Sequence, residues 1–167
     1  WDQIDIRVTE KMSPNLFVLH GTQALDQAHP DASGGRAMAL FGPDGVLLVD
    51  SQNRQVAEKT LKAIRTFTDG PLKIMVNTHV HSDHTGGNSF FAKQGVVIYA
   101  QDNLRSEMIR PPARADGTVP AVDTAGAPIV TYNYNPQKPG EPAVTIYMNG
   151  ETDDFIPMLP SPTAGNT

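Results

Sequence analysis

The chain has 167 residues, 39% hydrophobic and 19% charged, enough for one domain with a sizeable core and too few for two comfortable ones. Its net charge of −5, with no basic run, gives no electrostatic footprint for nucleic acid or an anionic membrane, so neither is expected as a partner. It has no cysteine, which excludes disulfides, thiol catalysis and thiolate ligands and restricts any metal to nitrogen and oxygen donors.

The chain starts at Trp1 rather than Met, which reads as a mature or trimmed product, through removal of a secretion signal or through trimming for expression, and leaves the location open, with periplasmic or secreted favoured over cytoplasmic. Ile4, Ile6 and Val8 alternate with polar residues as in a half-buried strand, and Ser13-Pro14-Asn15 turns the chain into a second strand over 16–19. Residues 21–35 have loop composition. Two apolar strands follow at 37–41 and 46–49, joined by the turn sequence Gly42-Pro43-Asp44-Gly45. The best helix comes next: Ala57, Leu61 and Ile64 share one face, flanked by Val56 and Phe67, with Asp50 or Ser51 as a cap and Asp69-Gly70 as the stop.

A short buried-type strand over 73–76 runs straight into N-T-H-V-H-S-D-H-T-G-G, residues 77–87. After it, 88–94 reads as a short helix, 96–100 as a strand and 103–109 as a helix stopped by Pro111-Pro112. Residues 111–142, rich in Pro, Gly and Ala, read as a long surface excursion. Val144, Ile146 and Met148 alternate into a strand, Asn149-Gly150 marks a hairpin turn, and 155–158 is the expected return. Strands alternating with helices, with hairpins at each end, argue for an α/β fold. No apolar run approaches the length needed to span a bilayer.

Three of the five histidines lie within 79–84. In extended chain His79 and His81, at i and i+2, point the same way, so two imidazoles can converge on one ion. Asp83 and His84 follow where the chain begins to turn, and can face a second ion. Two divalent ions about 3.5–4 Å apart suit hydrolysis at neutral pH, because they polarise a carbonyl or phosphoryl oxygen. Gly86-Gly87 keeps the backbone beside the site clear of side chains. His20 and His29 read by default as ordinary surface or core histidines.

T-H-V-H-S-D-H-T-G-G resembles the H-x-H-x-D-H signature of the metallo-β-lactamase superfamily. P-N-L-F-V-L-H-G, G-P-D-G-V-L-L-V-D-S and V-T-I-Y-M-N-G-E-T-D-D-F-I-P-M-L-P resemble flanking segments of the same family. The likeness covers nearly the whole chain, as a single partial domain (1–167), but only the first half of the family's αββα sandwich: a mixed sheet with helices on one face. It implies a hydrolase using one or two zinc ions, or other divalent metals. Metal-activated water would attack the carbonyl or phosphoryl centre of a small β-lactam, thioester, lactone or phosphoester. His79 and His81 would serve the first metal, Asp83 and His84 the second, with Asp83 also orienting the attacking water. Asp50 would hold the metal loop by hydrogen bonds.

The family's segment resembling P-x-H-T-x-G-x-T appears here as P-S-P-T-A-G-N-T over 160–167, so Pro162 stands where a third histidine is expected. The positions for the bridging carboxylate and last histidine lie beyond residue 167. Water, His29 or another chain would have to complete the site. The resemblance therefore leaves a second reading, a degenerate metal-binding half-domain, non-catalytic or weakly catalytic, that self-associates as a homodimer through an uncovered apolar sheet face. No substrate-binding residue is assigned; Arg36 is the nearest candidate.

Overall fold

The computed structural model describes residues 1–21, 35–132, 146–148 and 151–153, with side chains for those up to 131. Strands β1 (Ile6–Ser13), β2 (Leu16–Gly21), β3 (Ala37–Gly42) and β4 (Gly45–Val49) form an antiparallel meander. Helix α1 (Ala57–Ile64) then crosses over to β5 (Leu72–Val76), which lies parallel to β4. Two short helices, α2 (Ser82–Thr85) and α3 (Asn88–Ala92), lead to β6 (Val97–Gln101), and α4 (Asp102–Ile109) leads on to β7 (Val130–Tyr132), both strands continuing the parallel half. The seven strands stand side by side in chain order. The expected mixed sheet is therefore present. Among the described residues, no helix is long and apolar enough to cross a membrane.

The register explains which face is the core. Phe17, Ala39, Leu48, Met75 and Ile98 are successive cross-strand partners in one row across β2 to β6, and all are buried. Ala39, Leu48, Met75 and Ile98 pack with Val56, Ala57, Ala63 and Ile64 at and in α1 and with Phe91 of α3, and Phe17 packs edge-on to Phe41 and Phe67, so these helices cover one face. The next row, Leu16, Leu40, Leu47, Ile74 and Val97, projects to the other face because side chains alternate along a strand. It is as apolar as the first, yet Leu40 and Ile74 are 42% and 36% exposed. Apolar rows on both faces are what a sheet with a parallel half shows when it is built to be covered on both sides.

Several local expectations change. Neither Asp50 nor Ser51 caps α1; the chain makes a 3-10 turn over Arg54–Val56 first, without a side-chain cap. Both side chains are engaged elsewhere, as described below. The buried face of α1 is Ala57, Thr60, Ala63 and Ile64, with Leu61 at its edge. Thr60 can be buried because its hydroxyl donates to Gln52 Oε1 (2.6 Å), with Val56 O (3.1 Å) as a second acceptor within reach. The surface excursion contains β7, which pairs Val130 with Tyr99; a three-residue strand is too short to show periodicity and is specified by the open edge of β6. β8 (Ile146–Met148) pairs with β9 (Glu151–Asp153), Met148 opposite Glu151, so the return strand comes earlier than expected. Val144, the 149–150 turn and residues 155–158 lie outside the described residues.

Candidate metal centre

Asp50 follows the last residue of β4, and residues 77–84 follow β5, so both segments emerge at the carboxyl ends of adjacent parallel strands, where open α/β sheets gather ligand sites. The backbone closes the two segments on each other: Asp50 N donates to Val76 O (2.9 Å), and Ser51 N to His84 O (2.8 Å). Asp50 (φ 61°) and Gln52 (φ 58°) both adopt left-handed backbone, unusual for residues with side chains. That bend is held by buried Gln52, whose amide donates to Gly35 O (2.9 Å) while its Oε1 accepts from Thr60.

The bend aims the buried carboxylate of Asp50 into the histidine loop. Its Oδ1 accepts from Thr78 N (2.8 Å), and its Oδ2 accepts from Thr78 Oγ1 (2.7 Å) and from His84 Nδ1 (2.7 Å). A carboxylate only accepts, so His84 carries its proton on Nδ1. The Thr78 hydroxyl spends its one proton on Asp50, so in its 3.0 Å contact with His79 Nδ1 the histidine must be the donor. One aspartate thus sets the tautomer of two imidazoles, His84 directly and His79 through Thr78. Both then carry the lone pair on Nε2, the form in which a ring coordinates a metal while its other nitrogen is held from behind.

The rings of His79 and His84 lie 3.9 Å apart, and that of His81 stands edge-on to His79 at 4.8 Å. Asp83 Oδ2 lies 3.4 Å from His84 Nε2. Two ligands about 2.0–2.1 Å from a tetrahedral zinc are separated by about 3.3 Å, so this pair stands at the spacing of one edge of such a site. A metal would therefore fit the donors present. Ligand atoms of Asp50, His79 and His84 also fall within 4.8 Å of one another. Asp50, however, has three donors on its two oxygens, and its place is behind the ring of His84. Of the four donors expected from the sequence, His79 and His84 share one group of close ligand atoms, Asp83 approaches His84, and His81 stands beside the ring of His79, with His79 buried and His81 exposed. His29 and Pro162 lie outside the described residues, and His20 sits on β2.

Burial opposes the charge on His84, but the hydrogen bond to Asp50 and the charges of Asp50 and Asp83 outweigh it, holding its pKa above the ordinary histidine value. Bound metal and the second proton compete for Nε2, so affinity falls with acidity.

Behind the loop lies a buried amide network that sequence reasoning missed. Asn88 Nδ2 donates to Asn77 Oδ1 (2.8 Å) and Gly126 O (2.9 Å), while Asn88 Oδ1 accepts from Asn77 Nδ2 (3.1 Å) and Ser51 Oγ (2.9 Å). His84 O lies 3.0 Å from Ser51 Oγ as an alternative acceptor for its single proton. The available signal was the polar pair Asn77-Thr78, following directly on an apolar strand.

The two glycines after the motif have a different purpose from the one expected. A Cβ on Gly87 would sit 2.4 Å from Ser51 O and 3.0 Å from Ala57 Cβ, and one on Gly86 would sit 2.4 Å from Ser82 O and 2.7 Å from Arg54 N. They let the loop pack against the 51–57 segment rather than clearing space at the ligands. Gly87→Ala is expected to cost about 1–3 kcal/mol by overpacking. Gly42→Ala, whose Cβ meets nothing within 4 Å, should stay within about 0.5 kcal/mol of the parent. Thermal denaturation of the two variants checks this; equal melting temperatures would refute the close-approach role.

Comparison with known proteins bears on the fold and the family. The family model of the metallo-beta-lactamase superfamily matches residues 31–163. Over 77 residues the chain is 35% identical to a linear primary-alkylsulfatase of Pseudomonas sp. (strain ATCC 19151), a match covering 42% of this chain and 15% of that protein. Among solved structures, a metallo-beta-lactamase from Pontibacter korlensis superimposes with TM-score 0.56 at 19% identity, over 90% of this chain and 58% of that one. The Pseudomonas aeruginosa metallo-beta-lactamase FIM-1, in its mono-zinc form, gives TM-score 0.52 at 20% identity, over 62% and 46%. The chain spans 15% of the alkylsulfatase and about half of these structures, and the structural likeness is one of fold. With the family model matching most of the chain, the protein belongs to the metallo-beta-lactamase superfamily.

Proposed function

We propose that the chain carries the metal-binding loop of a zinc-dependent hydrolase, with His79, His81, Asp83 and His84 as donors. The observation that carries this reading is the tautomer relay from Asp50, which fixes Nδ1 of His79 and His84 as donors and orients two neighbouring imidazoles, with the Asp83 carboxylate beside His84 Nε2. A divalent ion held there supplies Lewis-acid polarisation of a substrate oxygen and acidifies water. Asp83, at the edge of the cluster and partly exposed, is placed to accept a hydrogen bond from the attacking water and to take its proton. Asp50 keeps the imidazoles in register. The substrate is a small molecule with an electrophilic carbonyl or phosphoryl centre; the alkylsulfatase relative adds sulfate esters to that class.

Elemental analysis of the purified chain is the test, with a His79→Ala/His81→Ala variant as control. One or two zinc ions per chain are expected, falling below about 0.2 in the double variant if affinity drops at least 100-fold. A metal-free chain at micromolar zinc would end the reading. Chelator-sensitive turnover of a chromogenic β-lactam, a thioester, a lactone, a phosphodiester or a sulfate ester then identifies the bond cleaved.

The second reading, a self-associating and weakly catalytic metal-binding domain, is favoured by the second apolar row, in which Leu40 of β3 and Ile74 of β5 are exposed on either side of Leu47 of β4. A sheet face of this kind is stabilised by covering it with a second copy. A scattering mass that stays monomeric across a hundredfold range of concentration would exclude the dimer.

A further inference from the structure

A cavity of about 530 Å³ opens beside His81, between α2, α4 and the segment running through 120–126. Val80, Met108, Pro111, Pro120 and Ala121 give it apolar lining, and the metal loop and α2 add His81, Ser82 and Thr85. Val80 and Met108 rest on a small core of their own, buried Ala100 and Leu104, so this floor is packed rather than loose. The far wall is tied down at several points. Asn88 holds Gly126 O, Arg105 Nε donates to Pro128 O (2.9 Å), and the Ser89 hydroxyl donates to Asp123. The amide network behind the metal loop therefore also fixes the wall of the cavity.

We propose that this cavity receives the apolar chain of the substrate, an alkyl, acyl or aryl group, and so presents the adjoining scissile bond to the His79–His84 loop. The inference rests on the hydrolase reading and names the substrate class for it. The volume lies in the range of small-molecule sites, and such sites combine apolar walls with a few convergent polar groups. The lining charges, Arg54 against Glu107 and Asp123, sum to minus one. Asp123 is already committed to Ser89 and to the field of Arg54. An uncharged chain is therefore favoured over one bearing a carboxylate inside the cavity. The proline and alanine side of the wall gives no hydrogen-bonding side chain, so chain length rather than head-group chemistry sets affinity.

Binding is read without turnover, using the full chain and the uncharged fluorophore N-phenyl-1-naphthylamine displaced by straight-chain alcohols from butanol to decanol. Affinity is expected to rise about fourfold per methylene until the cavity is filled, with the fatty acid of equal length weaker than the alcohol. Ala121→Trp, which fills the cavity from an exposed position, should weaken displacement at least tenfold while leaving circular dichroism and zinc content unchanged. Ile129→Trp, an exposed site outside the cavity, should leave it unchanged. Displacement that does not depend on chain length, or that Ala121→Trp leaves intact, overturns the proposal. Zinc content distinguishes the two failures: a metal-free chain that still binds alcohols by length loses the hydrolase reading and keeps the apolar pocket.

Discussion

Asp50→Ala is expected to lose about 3–5 kcal/mol of stability at pH 6, because it removes one partner of a buried charged hydrogen-bonded pair and orphans Thr78 N as well. Zinc affinity should drop by about 10–100-fold, the usual consequence of losing the group that orients a ligating histidine. The pH dependence supplies a sign that simple misfolding would not. In the metal-free parent, His84 has a folded pKa above its unfolded value of about 6.5. Its interaction with Asp50 is therefore fully stabilising below that value and is lost as pH rises through the folded pKa. Without Asp50, burial dominates and depresses the pKa, so the contribution of His84 should reverse and favour folding at higher pH. Urea titrations of both proteins between pH 5 and 8, with chelator present, read this directly. Parallel stability–pH curves would show that Asp50 does not hold His84.

Asn88→Ala should rank beside it in cost. The substitution leaves Asn77 Oδ1 and Gly126 O as buried acceptors without a donor, at about 1–3 kcal/mol each, whereas Ser51 Oγ and Asn77 Nδ2 can still reach His84 O. A total of roughly 4 kcal/mol is expected in denaturant midpoints at constant m. Asn88→Asp is the informative control. It preserves volume but sets a carboxylate oxygen against two acceptors, so it should be no better than alanine. A near-wild-type Asn88→Asp protein would mean that the network is not held by amide donation.

These two variants also mark the boundary of what was legible beforehand. His79, His81, Asp83 and His84 were visible because their chemistry and spacing are local: six consecutive positions contain the donors, and a strand before them and a tight turn after them were evident from apolar runs and glycines. The strand pairs and α1 were legible for the same reason, since alternation at period 2 and recurrence near 3.6 are properties of a single segment. Asp50 was singled out from the sequence both as a helix cap and as a holder of the metal loop, and only the second role survives. The choice depends on β4 and β5 lying side by side, with left-handed backbone at Asp50 turning the carboxylate toward Thr78 and His84. No window of sequence contains both halves of that contact.

The sequence by itself determined which candidate donors are available: nitrogen and oxygen only, four of them in one loop, in a chain whose strands and helices alternate. Only the tertiary structure decided how those donors are held. It set the tautomers through Asp50 and Thr78, joined Asn77, Asn88 and Ser51 behind the loop, and assigned Gly87 to close packing against Ser51. It also added β7 at the sheet edge and a walled cavity beside His81. The physical reason is common to all of these. Hydrogen-bond partners, cavity walls and close backbone approaches join segments some 10 to 40 residues apart, and their positions are fixed by which strands pair, whereas a ligand motif is fixed by neighbours along the chain.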